Sequence, residues 1–96
     1  MKIDRIVKAL EKEGWEVKKT DLNEYRKNIG LYDGPRWQWS CENGKNKCDW
    51  FRNGPDSDET CSVQVMGIKE RNDVMTDYFP GIWCHTIKSI IQMMKI

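Results

Sequence analysis

The stretch Pro35–Phe51, P-R-W-Q-W-S-C-E-N-G-K-N-K-C-D-W-F, decides the fold of this chain. Two runs of alternating character flank Asn43-Gly44, the dipeptide that signals a two-residue hairpin turn because both positions tolerate positive φ. With Asn43 and Gly44 as the turn, Ser40 faces Lys47, Trp39 faces Cys48 and Trp37 faces Trp50. Side chains alternate along a strand, and directly opposed residues share a face. Trp37, Trp39, Cys41, Cys48 and Trp50 therefore line one side, and Arg36, Gln38, Ser40, Lys47, Asp49 and Phe51 the other. The first side is the expected core wall, which leaves Arg36, Gln38 and Lys47 exposed.

Upstream, Ile3, Ile6, Val7 and Leu10 recur at helical spacing, which predicts a helix over about 3–13 that Gly14 ends. Trp15–Lys19 alternates as a strand with Trp15 and Val17 inward. Residues 21–34 read as a long connection holding a helical turn, with Asp21 as its cap and Leu22, Tyr25 and Ile29 at near-helical spacing. Asp33-Gly34-Pro35 turns the chain into the hairpin.

Downstream, Arg52–Thr60 is dense in turn formers and reads as a surface loop. Cys61–Ile68 is the next strand, with Cys61, Val63 and Val65 on one face, and Lys69–Asp73 is a charged turn. Thr76–Gly81 leads into a last helix whose apolar stripe is Trp83, Ile87, Ile90, Ile91 and Met94. The fold class is α+β in a single domain spanning 1–96: an antiparallel sheet of three to four strands with an N-terminal and a C-terminal helix packed on one face.

Charge is balanced. Sixteen Lys and Arg stand against fifteen Asp and Glu. Basic and acidic residues number 8 and 6 in residues 1–30, 4 and 6 in 31–60, and 4 and 3 in 61–96. That excludes a strongly basic coat for nucleic acid and an acidic mimic of it. No apolar run reaches the roughly 18–20 residues of a membrane span, and Met1–Arg5 lacks the apolar centre of a signal peptide. The expected compartment is the cytoplasm of a host cell, where the four cysteines stay reduced.

The cysteines are spaced C-x6-C, C-x12-C and C-x22-C, without the close pair that structural zinc sites start from. In the register above, Cys41 and Cys48 are diagonal neighbours, about 7–8 Å apart for such pairs. They read as small buried hydrophobes. The sharper alternative is a metal site from Cys41, Cys48, Cys61 and Cys84 or His85. Cys84-His85 pairs a nucleophile with a base in sequence, but helical neighbours point about 100° apart. Asp56-Ser57-Asp58-Glu59 lacks the glycine and distal glutamate of a calcium loop and reads as a solvated loop that could meet a basic partner. No catalytic residues, metal or cofactor are assigned.

Five tryptophans, three tyrosines and two phenylalanines are the unusual feature. Most of the tryptophans are expected in the core. One or two exposed aromatics would serve as interface anchors or base-stacking platforms.

Leu10–Trp15, L-E-K-E-G-W, resembles the start of the HicA toxin family, whose helix–sheet–helix architecture is shared with double-stranded-RNA-binding domains. That implies a nucleic-acid-binding alternative; in this sequence Arg36, Lys45, Lys47 and Arg52, with an exposed tryptophan, are the residues to serve it. His85 stands in no central strand, and only Lys88 lies near the middle of the last helix, so neither the toxin's histidine nor the lysine cluster has a counterpart. Asn72–Thr86, N-D-V-M-T-D-Y-F-P-G-I-W-C-H-T, resembles segments of small phage and plasmid domains, including the large polyvalent protein-associated group. This resemblance implies a non-catalytic accessory protein of a phage or mobile element. Such a protein would bind and modulate a host protein, with anti-CRISPR-like inhibition of a defence system as the specific case. The expected contact residues are Tyr32, Arg36, Arg52, Asp56, Asp58 and Glu59, from the loops 21–34 and 52–60 and the polar sheet face.

Overall fold

The computed structural model describes residues 1–30, 35–44, 46–52, 57–71 and 74–95, with side chains described outside 68–80. Helix α1 (Ile3–Lys12) leads into strand β1 (Glu16–Asp21) and helix α2 (Leu22–Ile29). Strands β2 (Trp37–Asn43), β3 (Asn46–Arg52), β4 (Val63–Arg71) and β5 (Val74–Cys84) follow, and helix α3 (Ile87–Met94) ends the chain. The strands form one antiparallel sheet in sequential order, β1-β2-β3-β4-β5. The α+β class stands, with five strands rather than three or four and three helices rather than two.

The tryptophan wall is where the alternation places it. Trp37, Trp39 and Trp50 are buried, together with Cys41, Cys48, Val63 and Val65. Against them pack Ile3, Ile6 and Leu10 of α1 and Ile90 and Met94 of α3 in one core cluster. Both helices thus seal the same face, because each has a single apolar stripe to bury and the tryptophans supply the largest apolar area.

The hairpin register differs from expectation by two residues. Trp37 opposes Arg52, Trp39 opposes Trp50, Cys41 opposes Cys48 and Asn43 opposes Asn46, so Asn43 is a paired strand residue and not part of the turn. Gly44 supplies a positive φ of 63°. Asn43 instead ends β2, where its side-chain amide donates to the Glu13 carbonyl (3.4 Å) at the close of α1. A two-residue shift preserves every side chain's face, so the core prediction survived the error. The shift makes Cys41 and Cys48 direct partners rather than diagonal neighbours.

The last third differs more. The charged segment expected as a turn extends β4 to Arg71, and the segment expected to lead into the helix is β5. The register slips between Val65 and Gly67, which pair with Ile82 and Phe79, so Met66 opposes both Pro80 and Gly81. A bulge on an edge strand is where a proline's missing N–H is tolerated. Trp83 accordingly belongs to β5 and is 52 % exposed. Cys61 precedes β4 and is exposed. Helix α3 starts later, capped by Thr86, whose hydroxyl accepts from the Ser89 backbone (3.1 Å) while the Ser89 hydroxyl accepts from the Thr86 N–H (3.3 Å). A helix between β1 and β2 and a fifth strand are added to the expected order of N-terminal helix, sheet and C-terminal helix.

In α2, Asp21 caps as expected by accepting from the Asn23 N–H (3.0 Å), and Gly30 closes the helix with φ 77°. The helix is real but its buried side is not the apolar one. Arg26 is buried and donates to the Pro35 carbonyl, whereas Tyr25 and Ile29 are exposed.

Candidate functional site

Of the residues expected to make contacts, Tyr32 and Asp56 lie outside the described residues. Arg36 is half-buried at the start of β2, with its guanidinium 3.5 Å from the Asp21 carboxylate and 4.6 Å from the centre of the Trp37 ring. It holds the corner between α2 and β2. Arg52 faces inward opposite Trp37 and is 8 % exposed. Its Nη1 donates to the carbonyl of Ser57 (2.9 Å) and to Ser57 Oγ (3.3 Å). This corrects the expectation of an outward contact residue: Arg52 ends β3 on the tryptophan side, where solvent is excluded and the guanidinium turns to the chain's own loop.

Asp58 and Glu59 are exposed, and their backbone is pinned. The Asp58 carbonyl accepts from Ile3 N–H (2.8 Å), Lys2 bridges Glu59, and Met1 and Thr60 exchange two hydrogen bonds of 2.8 Å. Residues 57–60 and 1–3 thus brace each other, and Arg52 ties them to the sheet. Arg36, Trp37, Arg52 and Ser57 form one chain of contacts, which brings these expected residues near one another for a structural end.

A broader surface lies on the other side of the sheet. Thr20, Gln38, Phe51, Gln64 and Trp83 are successive direct partners, a row that crosses all five strands. The parallel row of Lys18, Ser40, Asp49 and Met66 adjoins it. Every one of these side chains is half-buried or exposed, since α1 and α3 seal the opposite face. The sequence had placed Gln38, Ser40, Asp49 and Phe51 on this side. It missed Trp83, which fits the helical spacing of Ile87, Ile90 and Met94; the Thr86-x-x-Ser89 box was the available signal that the helix starts after it.

At the centre of this face the Asp49 carboxylate accepts from the Gln38 amide (3.0 Å). Partial burial raises its pKa, while bonds from Gln38 and the Cys41 backbone work against the rise. A shallow concavity of about 290 Å³ beside it is lined by Glu16, Val17, Lys18, Ser40 and Glu42. Beneath the sheet, burial pushes the thiols of Cys41 and Cys48 up to about 12, and raises Cys84 as well. The Trp50 indole N–H lies near enough to Cys41 to temper that rise without making a full hydrogen bond. Thiols held in this form are poor nucleophiles and poor ligands. Cys84 is buried and His85 exposed at the end of a strand, so this pair also points apart. Among the described residues, no group of three or more His, Cys, Asp or Glu is arranged to hold a metal ion, and no helix is long and apolar enough to cross a membrane.

No family model, curated protein or solved structure matches this chain. Its functional reading therefore rests on its own surface.

Proposed function

We propose that this protein is a small non-catalytic accessory protein of a phage or mobile element that binds and modulates a host protein, with inhibition of a host defence system as the specific case. The observation that carries the binding role is the row Gln38, Phe51, Gln64 and Trp83 on the sheet face opposite the helices. Aromatic side chains flanked by amides are the composition of a protein-contact surface: the rings supply apolar area, and the amides satisfy polar groups around it. The origin in a phage or mobile element rests on the resemblance of Asn72–Thr86.

Electrostatics favour a protein over a polyanion. The described residues of this face offer Lys18 and Lys47 against Glu16, Glu42 and Asp49, and phosphate backbones require a surplus of cations. Phe51→Ser and Trp83→Ser variants test the reading beside wild type in capture from host lysate. The same host protein is retained by wild type and lost by both variants. Equal retention by all three would remove the face from consideration. The defence case is tested in cells carrying a defence system, where wild type raises phage plating and the two variants do not.

A further inference from the structure

We propose that the free edge of β5 is a self-association surface, on which a second copy of this chain pairs antiparallel about a two-fold axis at Ile82. A sheet in the order β1 to β5 has two edges, and they are unlike. Strand β1, Glu16-Val17-Lys18-Lys19-Thr20-Asp21, carries four charged residues in six, the usual guard against edge-to-edge pairing. The last five residues of β5, Pro80-Gly81-Ile82-Trp83-Cys84, carry none. Ile82 and Trp83, on opposite faces of this edge, are 38 % and 52 % exposed.

The sequence of that edge is complementary to itself. With Ile82 on the axis, Ile82 meets its own copy on the helix side of the sheet, and Trp83 meets Gly81 of the second copy on the outer side. Directly opposed residues share a face, so the same contact occurs twice, as an isologous interface requires. Gly81 has no side chain of its own, and what the incoming indole meets above it is the flexible Gln64 side chain. The Gln64 side chain already lies over the space that a Cβ there would occupy, and it leans away from Trp83, its direct partner.

The pairing is short and closed. Pro80 has no N–H to donate, which limits the contact to the segment around Ile82. Once the two β5 edges are joined, only the charged β1 edges remain, so association stops at two copies. The product is a continuous ten-stranded sheet with the helices of both copies on one side and both aromatic rows on the other. That surface is twice as wide as the one proposed for the host protein.

Sedimentation equilibrium on the full chain, from about 1 to 500 µM, tests the proposal, because a reversible dimer is populated in proportion to concentration. The expected result is a monomer–dimer equilibrium. Ile82→Lys is expected to raise its dissociation constant about tenfold or more, since like charges then oppose each other on the axis. The fold of that variant is checked by near-ultraviolet circular dichroism. In a Cys61→Ser background, Ile82→Cys is expected to cross-link to its own copy under glutathione disulfide, and Lys18→Cys on the other edge is not. A monomer throughout the range, a dimer indifferent to Ile82→Lys, or an edge that takes an extended foreign peptide while the chain stays monomeric would each overturn it. Those results leave host-protein capture untouched, so the two readings fail separately.

Discussion

Trp39 and Trp50 stand directly opposite each other on β2 and β3 with ring centroids 4.1 Å apart and planes 1° from parallel. Trp50 is 0 % exposed and Trp39 3 %. This pair is the centre of the wall against which both α1 and α3 close. Trp50→Ala is therefore expected to cost about 3–5 kcal/mol, the range for deleting a large aromatic from a packed core. Phe51→Ala, one residue away and facing out, is expected to cost clearly less. Urea denaturation of the two variants makes the comparison, and equal losses would mean that the strand's faces are misassigned.

The buried thiols make a pH prediction with a definite sign. Cys41 and Cys48 are raised to about 12 from an ordinary value near 9.0. The folded chain holds these protons more tightly than the unfolded one, so their contribution is complete below the unfolded value. It is lost as pH rises from about 9 toward 12, at up to roughly 1.4 kcal/mol per pH unit for each thiol. A double Cys41→Ala, Cys48→Ala variant is expected to lose stability at neutral pH through its cavities, yet to show a flatter decline above pH 9. In native protein at pH 8, a thiol reagent is expected to label exposed Cys61 well before either of them.

The parts of the fold legible in the sequence were those set by local alternation. Trp37 to Trp50 alternates with polar residues, and a strand's faces follow from that alone, even with the register shifted by two residues. Ile3, Ile6 and Leu10 likewise fix one face of α1. What escaped depended on distant partners. Asn43 left the turn because Glu13, thirty residues away, offers it a carbonyl. Residues 74–84 became a strand because β4 pairs with them through a bulge that accommodates Pro80, a context absent from the local pattern. The candidate surface was half legible for the same reason: Gln38, Asp49 and Phe51 came from the hairpin, and Trp83 from the strand that was missed. Arg52 was misread because charge suggests exposure, whereas its position on the tryptophan side of β3 dictates burial.

Asp49 carries the opposite kind of test from a core residue. Its carboxyl is half-buried on the outer face and its pKa is raised chiefly by desolvation. The unfolded chain ionises more readily, so ionisation of Asp49 opposes folding and the penalty grows as pH rises through the raised value. Asp49→Asn removes the charge and keeps an oxygen for the Gln38 amide. The expected outcome is a variant at least as stable as wild type at pH 7, with the advantage vanishing at a pH below the ordinary carboxylate range. Thermal unfolding at the two pH values decides it, and a variant less stable at pH 7 than at pH 3, relative to wild type, would contradict it.

The two arginines at the start of β2 and the end of β3 differ in what they hold. Arg52 is buried and anchors Ser57, and through it the brace between residues 57–60 and 1–3. Arg36 is 40 % exposed at its side chain and its pairing with Asp21 is long at 3.5 Å. Arg52→Met is expected to cost about 1–3 kcal/mol, because it removes the buried guanidinium that donates to both oxygens of Ser57 and ties its loop to the sheet. Arg36→Met is expected to change stability little, as exposed ion pairs do. Hydrogen exchange gives the finer check: Ile3 and Thr60 amides, which donate across the brace, should lose protection in the Arg52 variant and keep it in the Arg36 variant.

Trp83 offers a direct optical test of β5. Trp15, Trp37, Trp39 and Trp50 are buried and Trp83 is 52 % exposed. Acrylamide reaches exposed indoles, so wild type at low concentration should show one readily quenched emission component above a protected background. Trp83→Phe should remove that component and leave the protected emission unchanged, with a stability change of no more than about 1 kcal/mol for an exposed position. Were Trp83 instead on the apolar stripe of α3 facing the core, the same substitution would cost far more, and the quenchable component would persist. The outcome therefore separates a strand ending at Cys84 from a helix beginning before it, and with it the aromatic row from which the binding face is built.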